Sequence, residues 1–295
     1  MSEVAIEMEE VRYVYPDGFV ALDDVSLKIL REERVAILGP NGAGKSTLLM
    51  LMNGLYKPSR GRASVLGTPM NTKNSSRVRM NVGLAFQDPD DQLFCPTLWE
   101  DVSFGPLNMG LSDGEALERT RDALKAVGLE GYEEKPPHHL SVGEKKKAAI
   151  ATVLAMQPEI LILDEPTANL DSRSKLELID IISNLRRNRD MTLITATHDV
   201  NFLPAVADRV YVLSRGRIIS EGPLKKVFSN PKIMNQANLE LPIVTQLFRL
   251  LAEQNSVATE STPLTVKEAL YEIDRFVKRD KSQSGRNSRL KTEIF

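Results

Sequence analysis

Gly39, Gly42, Gly44, Lys45 and Ser46, with Pro40, Asn41, Ala43 and Thr47 filling and closing the run, follow the spacing G-x-x-x-x-G-K-[ST]. Glycines let a backbone pass close to phosphate oxygens, where side chains would collide. The amides that open the following helix point at an anion, with the positive end of the helix dipole behind them. In that setting Lys45 supplies a mobile charge to β- and γ-phosphates, and Ser46 supplies a hydroxyl to Mg²⁺. The context matches: an aliphatic strand over 34–38 precedes the loop, and a helical stretch over 48–52 follows it. These residues predict binding of a nucleoside triphosphate.

A second group turns binding into hydrolysis. Ile160, Leu161, Ile162 and Leu163 form the apolar run expected of a parallel strand covered on both faces. It ends in Asp164-Glu165-Pro166, two carboxylates at a strand's carboxyl end, where ligands bind in open α/β sheets. Asp164 is expected to hold Mg²⁺ through water beside Ser46. Glu165 is expected to orient or deprotonate the attacking water.

The elements that must position these groups alternate between strand and helix, which predicts a parallel α/β sheet. Residues 4–9 alternate apolar and polar, as in an antiparallel side sheet. Over about 88–157 strands stop and helical pattern dominates, at 115–127 and 143–156, predicting an inserted helical subdomain. Strands resume at Ile160, Thr192 and Arg209, and Arg215-Gly216-Arg217 reads as a hairpin turn into Ile218. This predicts a main domain over 1–240 and a C-terminal helical extension over 241–295. In the extension, helical stripes at 243–251 and 266–277 flank a Ser/Thr-rich linker at 255–263. The basic stretch 278–291 is expected to be disordered; contact with anionic lipid heads is the other reading.

Five further pieces stand in order along the chain. Leu140, Ser141, Val142, Gly143 and Glu144 precede a lysine-rich helix start; Gln87 follows the strand-like stretch 81–86; His198 follows that at 193–197. Ala168, Asn169, Leu170 and Asp171 follow the carboxylate pair, and Tyr15 ends a strand beside a turn. Over about residues 5–230 the sequence resembles the ATP-binding-cassette (ABC) ATPases. The resemblance implies a P-loop NTPase fold, with a RecA-like parallel core, an antiparallel side sheet and a helical subdomain that carries the signature. It implies ATP hydrolysis with ATP and Mg²⁺ bound, Gln87 touching the metal or the water, and His198 bonding the γ-phosphate and the attacking water. It makes 168–171 a D-loop containing Asp171, and Tyr15 the aromatic that stacks on adenine. Tyr15 has a second reading, a strand aromatic packing on a neighbour, since Tyr13 shares its face.

In that family two cassettes pack head to tail, so Ser141 and Gly143 would close over the γ-phosphate held by a second cassette. The sequence departs from the family's Leu-Ser-Gly-Gly-Gln: Val142 replaces a glycine, and Glu144 brings a carboxylate near an anionic ligand unless it turns away. The stretch from Gln87 through Leu93-Phe94, Thr97, Glu100, Asp101, Val102, Phe104, Gly105 and Pro106 narrows the resemblance. It is similar to ATPases of cobalt/nickel and energy-coupling-factor vitamin importers. There the ATPase pairs with a membrane-embedded coupling protein and a substrate-capture protein, at the cytoplasmic face of the membrane. The other reading of Leu93-Phe94 is a hydrophobic plug buried in its own domain. Two alternatives stand beside the importer motor: a soluble ABC ATPase acting on ribosomes or DNA, and a regulatory ATP-binding subunit paired with an active cassette.

Composition constrains these choices. With 295 residues, 42% hydrophobic and 26% charged, the chain reads as globular, and its net charge of -2 gives no pointer to nucleic acid. No apolar run reaches the about 20 residues needed to span a bilayer, and no secretory signal opens the chain. Cys95 stands alone, which excludes an internal disulfide and suits a reducing cytosol; it is expected to pack beside Phe94. His138 and His139, adjacent in an extended stretch, are expected to point apart rather than share a metal.

Overall fold

The chain, described here by a computed structural model over residues 3–187, 191–254 and 262–290, folds around two sheets. β1 (Val4–Val14), β2 (Val20–Leu30), β4 (Arg60–Val65) and β5 (Thr68–Pro69) make an antiparallel sheet in the order β2-β1-β4-β5. The second sheet combines β3 (Arg34–Leu38), β6 (Val82–Ala85), β7 (Ile160–Asp164), β8 (Thr192–Thr197), β9 (Arg209–Ser214) and β10 (Arg217–Pro223), in the order β10-β9-β3-β8-β7-β6. It is parallel except for β10, which returns along β9 through Arg215 and Gly216, both at positive φ, as the tight-turn reading required.

Two-residue alternation builds the core. Ala36 and Leu38 of β3, with Leu161 and Leu163 of β7, pack into one apolar layer. Val35, Ile37, Ile160 and Ile162 pack into the other. The second layer receives α1 (Lys45–Asn53) and the antiparallel sheet. Tyr211 of β9 ties that sheet down: its hydroxyl donates to the Lys28 carbonyl at 2.8 Å and accepts from the Lys28 amide at 3.1 Å. Burial pushes the phenol up to about 12. After β5 comes α2 (Ser75–Asn81), which leads into β6.

The first layer receives the helical insert of α3 (Leu98–Asn108), α4 (Asp113–Ala126) and α5 (Val142–Leu154). No strand interrupts these helices between β6 and β7, in line with a helical stretch near 88–157. Gly83 lets α5 rest on β6: a Cβ there would lie 2.0 Å from Val153 Cγ1. The α3 helix was not among the expected helical stretches, which lay at 115–127 and 143–156. A capping box between Thr97 and Glu100 starts it, and Pro106 comes late enough that the helix ends two residues on.

α6 (Ser172–Arg187), α7 (Leu203–Val206), α8 (Leu224–Phe228) and α9 (Pro231–Gln236) complete the main body. α10 (Ile243–Glu253) and α11 (Val266–Leu290) follow the two expected stripes. α11 continues to Leu290, so the disorder expected from Lys278 onward is corrected to helix over 278–290. That stretch has no proline and one glycine, and its lysines, arginines and glutamine favour helix. The linker expected at 255–263 lies outside the described residues over 255–261. Among the described residues, no helix is long and apolar enough to cross a membrane.

Candidate active site

Between β3 and α1 the chain turns through residues 39–44, and steric room selects its glycines. A Cβ at Gly39 would lie 2.4 Å from the Leu213 carbonyl oxygen. Gly44 holds φ 102° and a Cβ there would come within 2.7 Å of the Ala21 carbonyl oxygen. Pro40, Asn41 and Gly42 carry the outer bend, closed by the Ala43 amide bonding to the Pro40 carbonyl at 3.2 Å. No side chain caps α1 at Gly44, so the first-turn amides, those of Lys45, Ser46 and Thr47, form an anion-binding end.

Lys45 is buried. Its ammonium donates to the carbonyls of Gly39 at 2.9 Å and Pro40 at 3.3 Å, and lies 3.0 Å from Glu165 Oε1. Glu165 stands past the end of β7 at φ 42°, its amide bonded to Ala196 of β8. Its carboxylate gathers further donors: Thr197 Oγ1 at 3.1 Å, the His198 amide at 3.4 Å and His198 Nδ1 at 2.9 Å. The contact to a carboxylate selects the ring form with the proton on Nδ1.

Asp164 is buried beside it, and its Oδ1 has no partner. Burial raises its pKa, with the Glu165 charge adding to the rise; Ser46, Lys45 and Lys146 oppose it. Ser46, Gln87, Asp164 and Lys146 line one cavity of about 440 Å³, together with Phe86, Val142 and Asn169. A hydroxyl, an amide and an orphaned carboxylate oxygen are the hard oxygen donors a divalent cation such as Mg²⁺ takes. The residues present therefore fit that ion.

Tyr15 packs on its neighbours beside the phosphate loop. Its ring meets Tyr13 edge-on at 5.0 Å and Tyr56 at 5.9 Å, while its hydroxyl bonds Thr47 Oγ1 at 2.9 Å, which fixes the aromatic at the phosphate loop. Ser141 and Gly143 do not line the 440 Å³ cavity. Ser141 caps α5: its hydroxyl accepts from the Glu144 amide at 3.3 Å, and Glu144 Oε2 accepts from the Ser141 amide at 2.8 Å. Glu144 is thus turned back onto its own helix, and this hydrogen bond holds its carboxyl below the ordinary range. Gly143 is buried against Ser174, whose Oγ a Cβ would meet at 3.0 Å. Asp171 caps α6 through the amides of Arg173 at 2.9 Å and Ser174 at 3.0 Å.

Two expectations are corrected. His138 and His139 sit in a 3₁₀ turn rather than an extended stretch, so their rings meet edge to face at 4.4 Å instead of pointing apart. Leu93-Phe94 is half a plug: Leu93 is buried, but Phe94 is 67% exposed and packs edge-on against exposed Phe104 at 5.2 Å. Cys95 lies beside it, its thiol pushed up to about 11 by burial and by Asp101.

Sequence reasoning missed two groups. Thr197 precedes His198 and shares Glu165 with it; only the strand-end position hinted at this. Lys146 is buried, donating to the Gln87 carbonyl at 2.8 Å and the Glu165 carbonyl at 3.0 Å. Burial lowers its pKa against the pull of Glu165, Asp164 and Asp88. Within Lys145-Lys146-Lys147 nothing in the sequence singles it out: Lys145 pairs with Asp90 at 2.6 Å and Lys147 with Glu177 at 2.7 Å.

The family model for ABC transporters matches residues 22–168. The chain is 47% identical to the energy-coupling factor transporter ATP-binding protein EcfA of Methanocaldococcus jannaschii, covering 86% of this chain and 92% of that protein. It is 45% identical to EcfA of Carboxydothermus hydrogenoformans, over 93% and 99%. Among solved structures, CbiO1 of Clostridium perfringens, part of the ABC transporter complex CbiONQ, superposes with a TM-score of 0.72 at 42% identity, over 84% of this chain and 99% of that one. A dimeric ATP-binding cassette bound to ADP and phosphate does so with a TM-score of 0.67 at 29% identity, over 75% and 99%.

Proposed function

We propose a function from one premise: the chain belongs to the ABC transporter family and is an ATPase of the energy-coupling-factor and cobalt type. In our reading it is the motor subunit of an importer for a transition-metal ion such as cobalt or nickel, or for a vitamin. The observation that carries the chemistry is the set of donors around Glu165, beside the orphaned oxygen of Asp164.

The loop amides and Lys45 bind the β- and γ-phosphates of ATP, with Tyr15 under the adenine. Ser46, Asp164 and Gln87 would hold Mg²⁺, which would supply positive charge against the phosphates of ATP. Glu165 accepts the proton of the attacking water, whose oxygen bonds the γ-phosphorus as the bond to ADP breaks, leaving ADP and phosphate. His198, oriented by the carboxylate, completes the pocket on the γ-phosphate side. Thr197 and the His198 amide keep the Glu165 carboxylate from swinging away.

A second cassette supplies Ser141, Gly143 and the Asp171 loop to close each site. Glu144 faces its own helix, which removes the electrostatic objection to the altered signature and weighs against a regulatory, inactive role. Exposed Phe94 and Phe104, next to the Gln87 segment, support docking of a membrane-embedded coupling protein there, with a substrate-capture protein beside it. The protein then works at the cytoplasmic face of the membrane, the main domain over 1–240 and the extension over 241–295.

The test is a pull-down of the tagged chain from detergent-solubilised native membranes. Recovery of a small integral membrane protein carries the importer reading and names its cargo class; recovery of ribosomal or DNA-bound material without one sinks it.

A further inference from the structure

We propose that Lys146 is a positioning residue for hydrolysis: its buried ammonium, bonded to the backbone carbonyls of Gln87 and Glu165, lets α5 set where the glutamine segment and the catalytic glutamate stand. The proposal rests on the assignment of Glu165 as the base.

Gln87 follows β6 and Glu165 follows β7, adjacent parallel strands paired up to Ala85 and Leu163. Beyond that pair the ladder between the two strands ends. One ammonium spans them, at 2.8 Å and 3.0 Å. It comes from the second turn of the helix that Ser141 opens, so the signature segment and both chemical segments share a single rigid link. Lys146 is 4% exposed, with Ala148, Ala149 and Ile150 buried after it. Burying a charge there is costly unless it is hydrogen-bonded, and an apolar replacement would leave two carbonyls without this donor. Its neighbours in sequence reach surface carboxylates of Asp90 and Glu177 instead, so the link belongs to Lys146 within the lysine run. Glu165 needs the support: it holds a left-handed backbone without being glycine, its amide fixed by Ala196 and its carbonyl by Lys146 and the Ala168 amide. A shift of that carbonyl moves the carboxylate relative to the γ-phosphate.

The experiment compares full-length chain with Lys146→Met, Lys146→Gln, Glu165→Gln and the double variant Lys146→Met/Glu165→Gln. It reads single-turnover ATP hydrolysis, affinity for a fluorescent ATP analogue, and Tm. Lys146→Met is expected to slow hydrolysis at least about tenfold, as misplacement of a catalytic group does, with affinity within about threefold. Lys146→Gln, whose amide still offers two protons, is expected to stay within about threefold of the full rate. In the Glu165→Gln background, Lys146→Met should slow the residual rate by clearly less than it slows the unaltered chain, because its action through Glu165 is already gone and only that on the Gln87 segment remains.

An undiminished rate in Lys146→Met overturns the proposal, and so does an equal loss in the Glu165→Gln background. If Lys146→Met does not fold, Lys146→Arg decides. Its longer head keeps the charge but pushes the carbonyls apart, so a tenfold slower rate at unchanged affinity carries the proposal and a full rate overturns it. Full activity in Glu165→Gln removes the assignment of Glu165 itself; an inactive Glu165→Gln beside an unimpaired Lys146→Met removes only the role of Lys146.

Discussion

Lys45 Nζ lies 3.0 Å from the Glu165 carboxylate, and both side chains are buried. The residue proposed to grip the triphosphate is thus partnered with the residue proposed to activate water. Removing one partner of a buried pair leaves the other charge uncompensated. Lys45→Ala is therefore expected to weaken ATP binding by about 1.5–3 kcal/mol, the worth of a hydrogen bond to a charged group, and also to lower Tm. In melting curves of the two single variants and the double, Lys45→Ala with Glu165→Gln should be less destabilised than the sum of the singles. Strict additivity would mean the pair contributes nothing.

Glu165→Gln should separate binding from chemistry. The amide keeps an oxygen for Lys45 and Thr197 but gives up the basic site, so hydrolysis is expected to fall by about 10²–10⁴ while ATP affinity is kept. Steady-state ATPase assays beside equilibrium nucleotide binding check this. A parallel loss of affinity would place Glu165 in binding rather than in catalysis.

The two readings of Tyr15 part on substitution. Base stacking is worth about 1–3 kcal/mol, so Tyr15→Ala should weaken nucleotide binding about 5- to 150-fold. Tyr15→Phe keeps the ring and loses only the 2.9 Å bond to Thr47, and should bind nearly as the unaltered chain does. If Tyr15→Ala binds ATP normally but melts earlier, the ring serves the cluster with Tyr13 and Tyr56 alone.

What could be read in advance follows from how local each signal is. The phosphate loop, the strand ending at Asp164 and the turn at Arg215-Gly216 are each specified by a few consecutive residues, and they stand where spacing placed them. α3 went unread although its start is local, a Thr97–Glu100 capping box, and its Pro106 comes only near its end. The histidine pair was misjudged because a proline-flanked stretch can bend into a 3₁₀ turn as readily as extend. Lys146 was invisible for a different reason: burial is a tertiary fact, and three lysines in a row look alike until a helix face is packed against two strand ends. The altered signature was legible as a departure, but the direction of Glu144 was decided by the capping geometry of α5.

That geometry gives Glu144 a titratable role in stability. Its carboxyl is held below the ordinary 4.5 by the Ser141 amide, with the hydroxyls of Ser141 and Tyr132 helping, so the folded chain binds this proton less readily than the unfolded one. The stabilisation is then fully present above pH 4.5 and lost as pH falls through the lowered value. Glu144→Ala should cost about 1 kcal/mol at neutral pH, about 2 °C in Tm for a chain of this size, with the gap to the unaltered chain closing under acid. Glu144→Gln, which restores the glutamine of the family signature, can still accept from the Ser141 amide and should melt close to the unaltered chain at neutral pH. Its cap carries no proton to lose, so below pH 4.5 it should hold its advantage over Glu144→Ala. Calorimetry of the three chains between pH 7 and the lowest pH at which they refold reads all of this; a gap between the alanine variant and the unaltered chain that does not narrow in acid would mean the carboxylate charge has no part in the cap.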